Sequence, residues 1–110
     1  MKNFYLITLF MCLSNLQTWA TGSSEKAVYD LIERVTPGYA SQYRLEIISS
    51  ENGNDIYEVD GDGQKIILRG NNAVSLATAF NWYLKYTCHA HVSWFGNQLE
   101  LPAKLPQPVH

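Results

Sequence analysis

Apolar residues recur at the spacing of an α-helix in two stretches of the chain. In the first stretch the apolar positions are Ala27, Val28, Leu31, Ile32 and Val35. In the second stretch they are Ala73, Leu76, Ala77, Phe80, Tyr83 and Leu84. Because residues three and four apart share one face of a helix, each stretch predicts a helix with a single buried stripe. Pro37-Gly38 is expected to end the first helix, and Asn71 or Asn72 to cap the second.

Between the two helices, alternating apolar and polar residues predict three strands, at residues 43–49, 55–60 and 64–69. Asn52-Gly53 separates the first two strands, and Gly61-Asp62-Gly63 separates the last two. Both are turn sequences, because Asn and Gly tolerate the positive φ angles that tight turns need. Strands joined by such short turns are expected to pair with their neighbours in sequence, as an antiparallel meander.

The chain after the second helix predicts two further strands. Residues 89–95 form the first, Gly96-Asn97 forms a turn, and residues 99–101 form the second. The order of elements is therefore α-β-β-β-α-β-β. Each helix has one apolar stripe and must cover the apolar face of the sheet. We therefore expect a two-layer α+β sandwich, with a mainly antiparallel sheet and both helices on one face.

The first twenty residues have the features of a secretory signal peptide. Lys2 gives a positive start, residues 4–13 are almost entirely apolar, and Thr18-Trp19-Ala20 resembles a cleavage site. The apolar run is shorter than the ~20 residues that a membrane-spanning helix needs. We therefore expect cleavage after Ala20 and a secreted or periplasmic product.

The chain after residue 20 divides into two parts. Residues 21–102 contain all the predicted helices and strands and are expected to form the α+β domain. Residues 103–110 come after Pro102 and include Pro106 and Pro108. A proline-rich stretch cannot continue a sheet and is typical of a semi-rigid linker. We expect this one to lead toward a further domain.

Charge and cysteine content narrow the range of functions. Without residues 1–20 the chain has seven basic and ten acidic side chains and one cysteine, Cys88. This balance argues against nucleic acid and polybasic membrane contacts, because binding to phosphate depends on clustered Lys and Arg. One cysteine forms no internal disulfide, so an exported domain of this kind depends on its hydrophobic core.

Two groups of side chains are candidate metal sites. Cys88, His89 and His91 stand close together in sequence, but a zinc site needs a fourth ligand and usually more open spacing. The second group is acidic and comprises Asp55, Glu58, Asp60 and Asp62. It resembles part of a calcium loop, yet the remainder of such a loop is absent. We interpret the first group as surface residues and the second as a turn, and expect no metal and no other cofactor.

Aromatic residues are frequent in the second helix and in the strand after it: Trp82, Tyr83, Tyr86, Trp94 and Phe95. Tyr83 belongs to the buried stripe, and Trp94 alternates with Val92. Trp82 and Phe95 fall outside these patterns, so they are the candidate substrate-binding residues, on which a sugar ring could stack. The alternative, which we favour, is a patch covered by a neighbouring domain.

Several segments carry a resemblance to a known family. Ile67-Leu68-Arg69-Gly70 precedes the second helix, which closes with Tyr83-Leu84-Lys85. The segments after that helix are Cys88-His89, His91-Val92-Ser93-Trp94 and Gln98-Leu99-Glu100-Leu101-Pro102. Over about residues 25–108, the chain resembles the N-terminal domain of the alpha-N-acetylglucosaminidases, glycoside hydrolase family 89.

The resemblance implies a role within a larger enzyme. In that family the domain precedes a (β/α)8 barrel, which holds two catalytic glutamates and removes terminal alpha-linked N-acetylglucosamine from glycans. None of those positions lies in this sequence, which stops at His110, so we expect no catalytic residue and a fragment that is inactive alone. The expected function is that of a non-catalytic accessory domain. The alternative is a free-standing carbohydrate-binding module that uses Trp82 or Phe95.

Overall fold

The computed structural model describes residues 23–93 and 96–109 of the 110-residue chain. The helices are α1 (Ser23–Val35) and α2 (Ala73–Tyr86), and a 3-10 turn, Ala40–Gln42, comes after α1. The strands are β1 (Tyr43–Ile47), β2 (Tyr57–Gly61), β3 (Ile66–Gly70), β4 (His91–Ser93) and β5 (Gly96–Gln98). The described residues therefore have the predicted order α-β-β-β-α-β-β.

The first three strands form one mixed sheet in the order β1-β3-β2. β3 pairs with β1 in parallel, with Ile47 opposite Gly70, and with β2 in antiparallel. The α+β class is confirmed, but the predicted meander is wrong, because β1 pairs with β3 and not with β2. Residues 48–56 cross the end of β3 instead of closing a hairpin, and the N–H of Ile48 donates to the carbonyl of Gly70 there at 3.0 Å.

Both predicted turns form where the sequence places them. Asn52 and Gly53 have φ angles of 53° and 74°, and Gly63 has a φ of 89°. Asp62 Oδ1 accepts a hydrogen bond from the backbone N–H of Lys65 at 2.7 Å. Asn and Gly adopt positive φ more readily than other residues, so backbone conformation explains both turn sequences.

The core lies between the sheet and the two helices. α2 packs on β3 and β2, and α1 packs on α2 and β1. The largest fully buried side chains come from both layers: Ile32, Tyr43, Ile66, Leu68, Leu76, Tyr83 and Leu84. Tyr43 meets Phe80 and Tyr83 edge to face, with ring centroids 5.6 and 5.8 Å apart. Most residues of both predicted stripes belong to this core or pack against it; the exceptions are Leu31 and Ala77, which are half-buried, and Ala27, which is exposed.

Two asparagines fix the start of α2. Asn72 is the N-cap, and its Oδ1 accepts a hydrogen bond from the N–H of Ser75 at 2.8 Å. Asn71 Oδ1 accepts from the Ser75 hydroxyl at 2.9 Å and from the N–H of Ile56 at 3.0 Å. Asn71 therefore joins α2 to the segment that enters β2, and Asn72 caps the helix.

The last two strands form a separate antiparallel pair, with Ser93 opposite Gly96. Gly96-Asn97 therefore lies within β5, and the prediction of a turn at these two residues is wrong. Residues 99–101, predicted as the last strand, have no strand structure. Preferences of single residues for strands are weak compared with pairing and burial, so composition did not identify Gly96–Gln98 as a strand.

The proline-containing tail runs back across the domain. Leu105 lies in the core, with 3 % of its surface exposed. Gln42 holds the tail on both sides of Leu105: its side-chain amide donates to the carbonyl of Ala103 at 2.8 Å, and its Oε1 accepts from the N–H of Leu105 at 2.8 Å. That residues 103–110 lead to a further domain stays a prediction, but their first part is held against this one.

Two expectations concern residues that the structure does not describe. The predicted signal peptide, with its cleavage after Ala20, lies outside the described residues. Trp94 and Phe95 also lie outside them, so Phe95 stays a candidate from sequence alone. Within residues 23–93 and 96–109, neither helix is long and apolar enough to cross a membrane.

Candidate functional site

Charged side chains cover the face of the sheet that the helices leave open. Arg69 lies at the centre, where its Nε is 2.7 Å from Glu46 Oε2 and its Nη1 is 3.2 Å from Asp60 Oδ2 and 3.5 Å from Glu58 Oε2. Strand register brings them together, because Glu46 and Glu58 both lie opposite Arg69. The hydrogen bond with Glu46 is the main reason that the pKa of Arg69 is raised.

Two carboxylates at this face have a lowered pKa: Glu46 of the cluster and Asp62, whose Oδ2 is 3.5 Å from Arg44 Nη1. The hydrogen bond from Arg69 lowers the pKa of Glu46, and backbone hydrogen bonds from Lys65 and Gln64 lower the pKa of Asp62. A general acid in glycoside hydrolysis needs the opposite shift, which burial in an apolar pocket produces. The cluster is therefore an open ion-pair network, of a kind that stabilises a fold only weakly.

The acidic residues predicted to serve turns have structural partners. Asp55 Oδ1 accepts hydrogen bonds from the side-chain amides of Asn71 and Asn72 at 2.9 and 3.0 Å.

The two histidines considered as zinc ligands lie after α2. His89 is exposed with a φ of 54°, and His91 begins β4. Among the described residues, no group of three or more His, Cys, Asp or Glu side chains could hold a metal ion.

Cys88 lies just after α2 and against the aromatic core. Partial burial raises the pKa of its thiol, although a hydrogen bond with Tyr83 acts in the opposite direction. Because the thiolate is the reactive form of cysteine, a raised pKa makes this thiol a poor nucleophile. Burial also raises the pKa of Tyr43 and of Tyr83 well above the usual range for tyrosine. This region is therefore a neutral part of the core.

Four exposed apolar side chains beside α2 form what we call the aromatic surface: Tyr57, Trp82, Tyr86 and Val109. The rings of Trp82 and Tyr86 have centroids 5.1 Å apart and are tilted by 45°. A cavity of about 330 Å³ opens between Trp82 and Tyr57. Its lining consists of Tyr57, Val59, Trp82, Pro108 and Val109.

Polar groups lie at one side of the aromatic surface. Lys85 Nζ is 5.2 Å from the centroid of the Tyr86 ring, which is within the range of a cation–π contact. A second cavity, of about 590 Å³, adjoins Lys85 and is lined by Asn81, Lys85, His89, Ala90 and Val92. α2 thus separates a cavity lined by aromatic and aliphatic residues from one with amide, ammonium and imidazole groups.

Trp82 is the predicted binding residue that the structure places on this surface. Sequence reasoning missed two of its neighbours. Tyr57 lies in the strand predicted at residues 55–60, but alternation alone does not show that β2 is an edge strand. On that edge 43 % of the Tyr57 side chain stays exposed. Val109 belongs to the tail, for which no periodic pattern predicts a contact. Only the folding of the tail across the domain brings it beside Trp82.

Known proteins resemble this chain in sequence and in structure. Residues 26–107 match the family model of the alpha-N-acetylglucosaminidase (NAGLU) N-terminal domain. A curated alpha-N-acetylglucosaminidase from Homo sapiens is 34 % identical over 85 residues, which cover 73 % of this chain and 11 % of the human protein.

A solved structure has the same fold over almost the whole chain. The family 89 glycoside hydrolase from Clostridium perfringens, in complex with 2-acetamido-1,2-dideoxynojirmycin, has a TM-score of 0.76 and 30 % identity, and covers 92 % of this chain. Another structure of that enzyme, with its substrate GlcNAc-alpha-1,4-galactose, has the same TM-score. The matched part is 12 % of the Clostridium chain, so this chain spans about a tenth of the length of these relatives.

Proposed function

The chain belongs to the family of alpha-N-acetylglucosaminidase N-terminal domains, and from that membership we propose that it is the non-catalytic accessory domain of a secreted glycoside hydrolase. In the relatives, the matched part makes up only 11–12 % of the chain. The chemistry then belongs to the remaining part, which the sequence resemblance describes as a (β/α)8 barrel. The role of this domain is to pack against that part and stabilise it.

One observation carries the proposal: neither of the cavities beside α2 is lined by an aspartate or a glutamate. Glycoside hydrolysis by paired carboxylates needs two of them about 5–9 Å apart, on opposite sides of the sugar. The carboxylates of Glu46, Glu58 and Asp60 surround Arg69 on an open sheet face. That arrangement does not enclose a sugar, and the pKa of Glu46 is lowered there, which is the opposite of what a general acid needs.

We expect no hydrolysis by the isolated chain and full hydrolysis by a chimera. Purified chain is mixed with a chromogenic alpha-linked N-acetylglucosamine substrate, and release of the dye should equal that in buffer. Residues 23–109 are then placed in the Clostridium perfringens enzyme in place of its own N-terminal domain. The chimera should be soluble and hydrolyse GlcNAc-alpha-1,4-galactose, whereas the same enzyme with the domain deleted should lose soluble yield. Dye release by the isolated chain contradicts the proposal.

Secretion is part of the proposal, and its support is the sequence of residues 1–20. When the 110-residue chain is produced in a bacterial host, the exported product is expected to begin at Thr21, as intact mass will show. The control is Ala20→Phe, which puts a large residue where the cleavage site needs a small one and should leave the precursor uncut. A cytoplasmic product that retains Lys2 contradicts export.

A further inference from the structure

We propose that the aromatic surface is the interface through which this domain binds the catalytic part of the glycoside hydrolase. The inference rests on the proposed accessory function and adds the location of the contact. Tyr57, Trp82 and Tyr86 are 43, 37 and 55 % exposed. Tyr57 and Trp82 line the cavity, and Tyr86 contacts Trp82. Large aromatic side chains at this level of exposure are typical of the centre of a protein interface.

The path of the chain identifies the occupant. The family match ends at residue 107, and Pro108 and Val109, which come next, line the cavity between Trp82 and Tyr57. Because the matched family is an N-terminal domain, the remaining 88–89 % of a relative's chain lies largely beyond this point. The first residues of the catalytic part therefore emerge beside Trp82.

The exit point is held in a fixed position. The Tyr83 hydroxyl donates to the carbonyl of Pro106 at 2.6 Å, and the N–H of Gly63 donates to Gln107 Oε1 at 3.2 Å. A chain that leaves from a fixed point keeps the next domain close to the adjoining surface, at a high effective concentration. The aromatic surface is thus the part of the domain that the catalytic part meets first.

The chemistry of the surface favours a protein over a sugar. The side chains that line the cavity between Trp82 and Tyr57 offer one hydroxyl and one indole N–H, and none has an amide, a carboxylate or a charged group. Sugar hydroxyls need several convergent polar partners. Asn81, Lys85 and His89 lie on one side, around the second cavity. An apolar centre with a polar border is the usual anatomy of a protein–protein interface.

Hydroxyl-radical footprinting with mass spectrometry tests the contact at single residues. Oxidation rates of Tyr57, Trp82 and Tyr86 are measured in the isolated 110-residue chain and in the active chimera. We expect Trp82 to be oxidised about fivefold or more slowly in the chimera, because the centre of an interface excludes water. Tyr29, which is partly buried and lies on α1, should keep the same rate in both proteins.

Two matched variants test the energetic contribution of the surface. In the isolated chain, Trp82→Gln and Val74→Gln change exposed positions of α2 and should each shift Tm by about 3 °C or less. In the chimera, Trp82→Gln should speed proteolysis of the junction between the domains by about tenfold or more. Val74, which is 70 % exposed and does not line the cavity, should have no such effect.

If the aromatic surface binds something other than the catalytic part, the experiments give a different result, and each of these results overturns the inference. If Trp82 stays fully reactive in the chimera while a different face becomes protected, the interface is not the aromatic surface, but the accessory function stands. If no face is protected, the accessory function fails as well. Saturable quenching of tryptophan fluorescence in the isolated chain by GlcNAc-alpha-1,4-galactose identifies a glycan platform. Protection of Trp82 that rises with the concentration of the isolated chain identifies a second copy.

Discussion

Replacing Tyr83 with alanine is expected to lower the free energy of unfolding by about 3–5 kcal/mol, the usual cost of emptying a large aromatic site in a core. The side chain has no exposed surface, and its ring lies edge to face against Tyr43. Its hydroxyl also donates to the carbonyl of Pro106 at 2.6 Å. The variant therefore loses core packing and a contact to the tail together.

Urea and thermal denaturation monitored by circular dichroism measure this loss. For a domain of this size, the thermal midpoint should fall by about 12 °C or more. Native stability is commonly about 5–15 kcal/mol, so a loss of this size removes between about a fifth and all of it. Should it fail to purify, two milder variants, Tyr83→Phe and Tyr43→Phe, test the same contacts.

These two tyrosine-to-phenylalanine variants separate the hydroxyl from the ring. Tyr83→Phe should cost about 0.5–1.5 kcal/mol, because the carbonyl of Pro106 loses its donor. Tyr43→Phe should be neutral or stabilising, because among the described residues the buried Tyr43 hydroxyl has no hydrogen-bond partner. If both variants have equal stability, the bond between Tyr83 and the tail contributes nothing, and the fixed exit point loses its main support.

The helices were predictable from sequence because their apolar residues have a strong period. The stripe that includes Leu76, Phe80 and Tyr83 becomes the buried face of α2, since a helix with one apolar face has one way to bury it. Trp82 falls outside the stripe and is correspondingly exposed. The same reasoning predicted Asn72 as a candidate cap, which the structure confirms.

The strand order was not predictable from turns alone. Asn52-Gly53 forms the predicted turn, yet the segment around it is long enough to pass the end of β3. A signal for the correct order was present in β3 itself. Its Ile66, Ile67 and Leu68 form a continuous apolar run and are all buried, which is typical of a central strand covered on both faces.

The tail and the aromatic surface depend on contacts distant in sequence. Gln42 holds Leu105 across the domain, and neither residue lies in a periodic pattern that indicates this pairing. Proline content describes how stiff a segment is, but not what it packs against. Sequence reasoning therefore found Trp82, because periodicity applies to helices, and missed Val109, because it does not apply to the tail.

Gly70→Val is expected to lower the free energy of unfolding by about 3 kcal/mol or more, and Gly70→Ala by about 1–3 kcal/mol. Gly70 ends β3 between both neighbouring strands. A Cβ atom there would lie 2.8 Å from the backbone N of Leu76 and 2.9 Å from Ser75 Cβ. The helix must therefore move away from the sheet. Denaturation in urea at matched protein concentration measures the loss.

Because Gly70→Ala is expected to destabilise the protein, this variant tests how closely α2 approaches the sheet. The φ angle of Gly70 lies outside the left-handed region, and in open space Gly→Ala at such a position stabilises a protein by about 0.4–1 kcal/mol. Gly61→Ala is the comparison on β2, since its Cβ would meet the flexible end of the Gln107 side chain first and would lie 3.0 Å from Pro108 Cδ, with no backbone atom among its three nearest contacts. That variant should lose less stability, because a flexible side chain can move aside. A Gly70→Ala protein as stable as the parent would show that α2 can be displaced without cost, and the close packing of helix on sheet would then not explain the glycine.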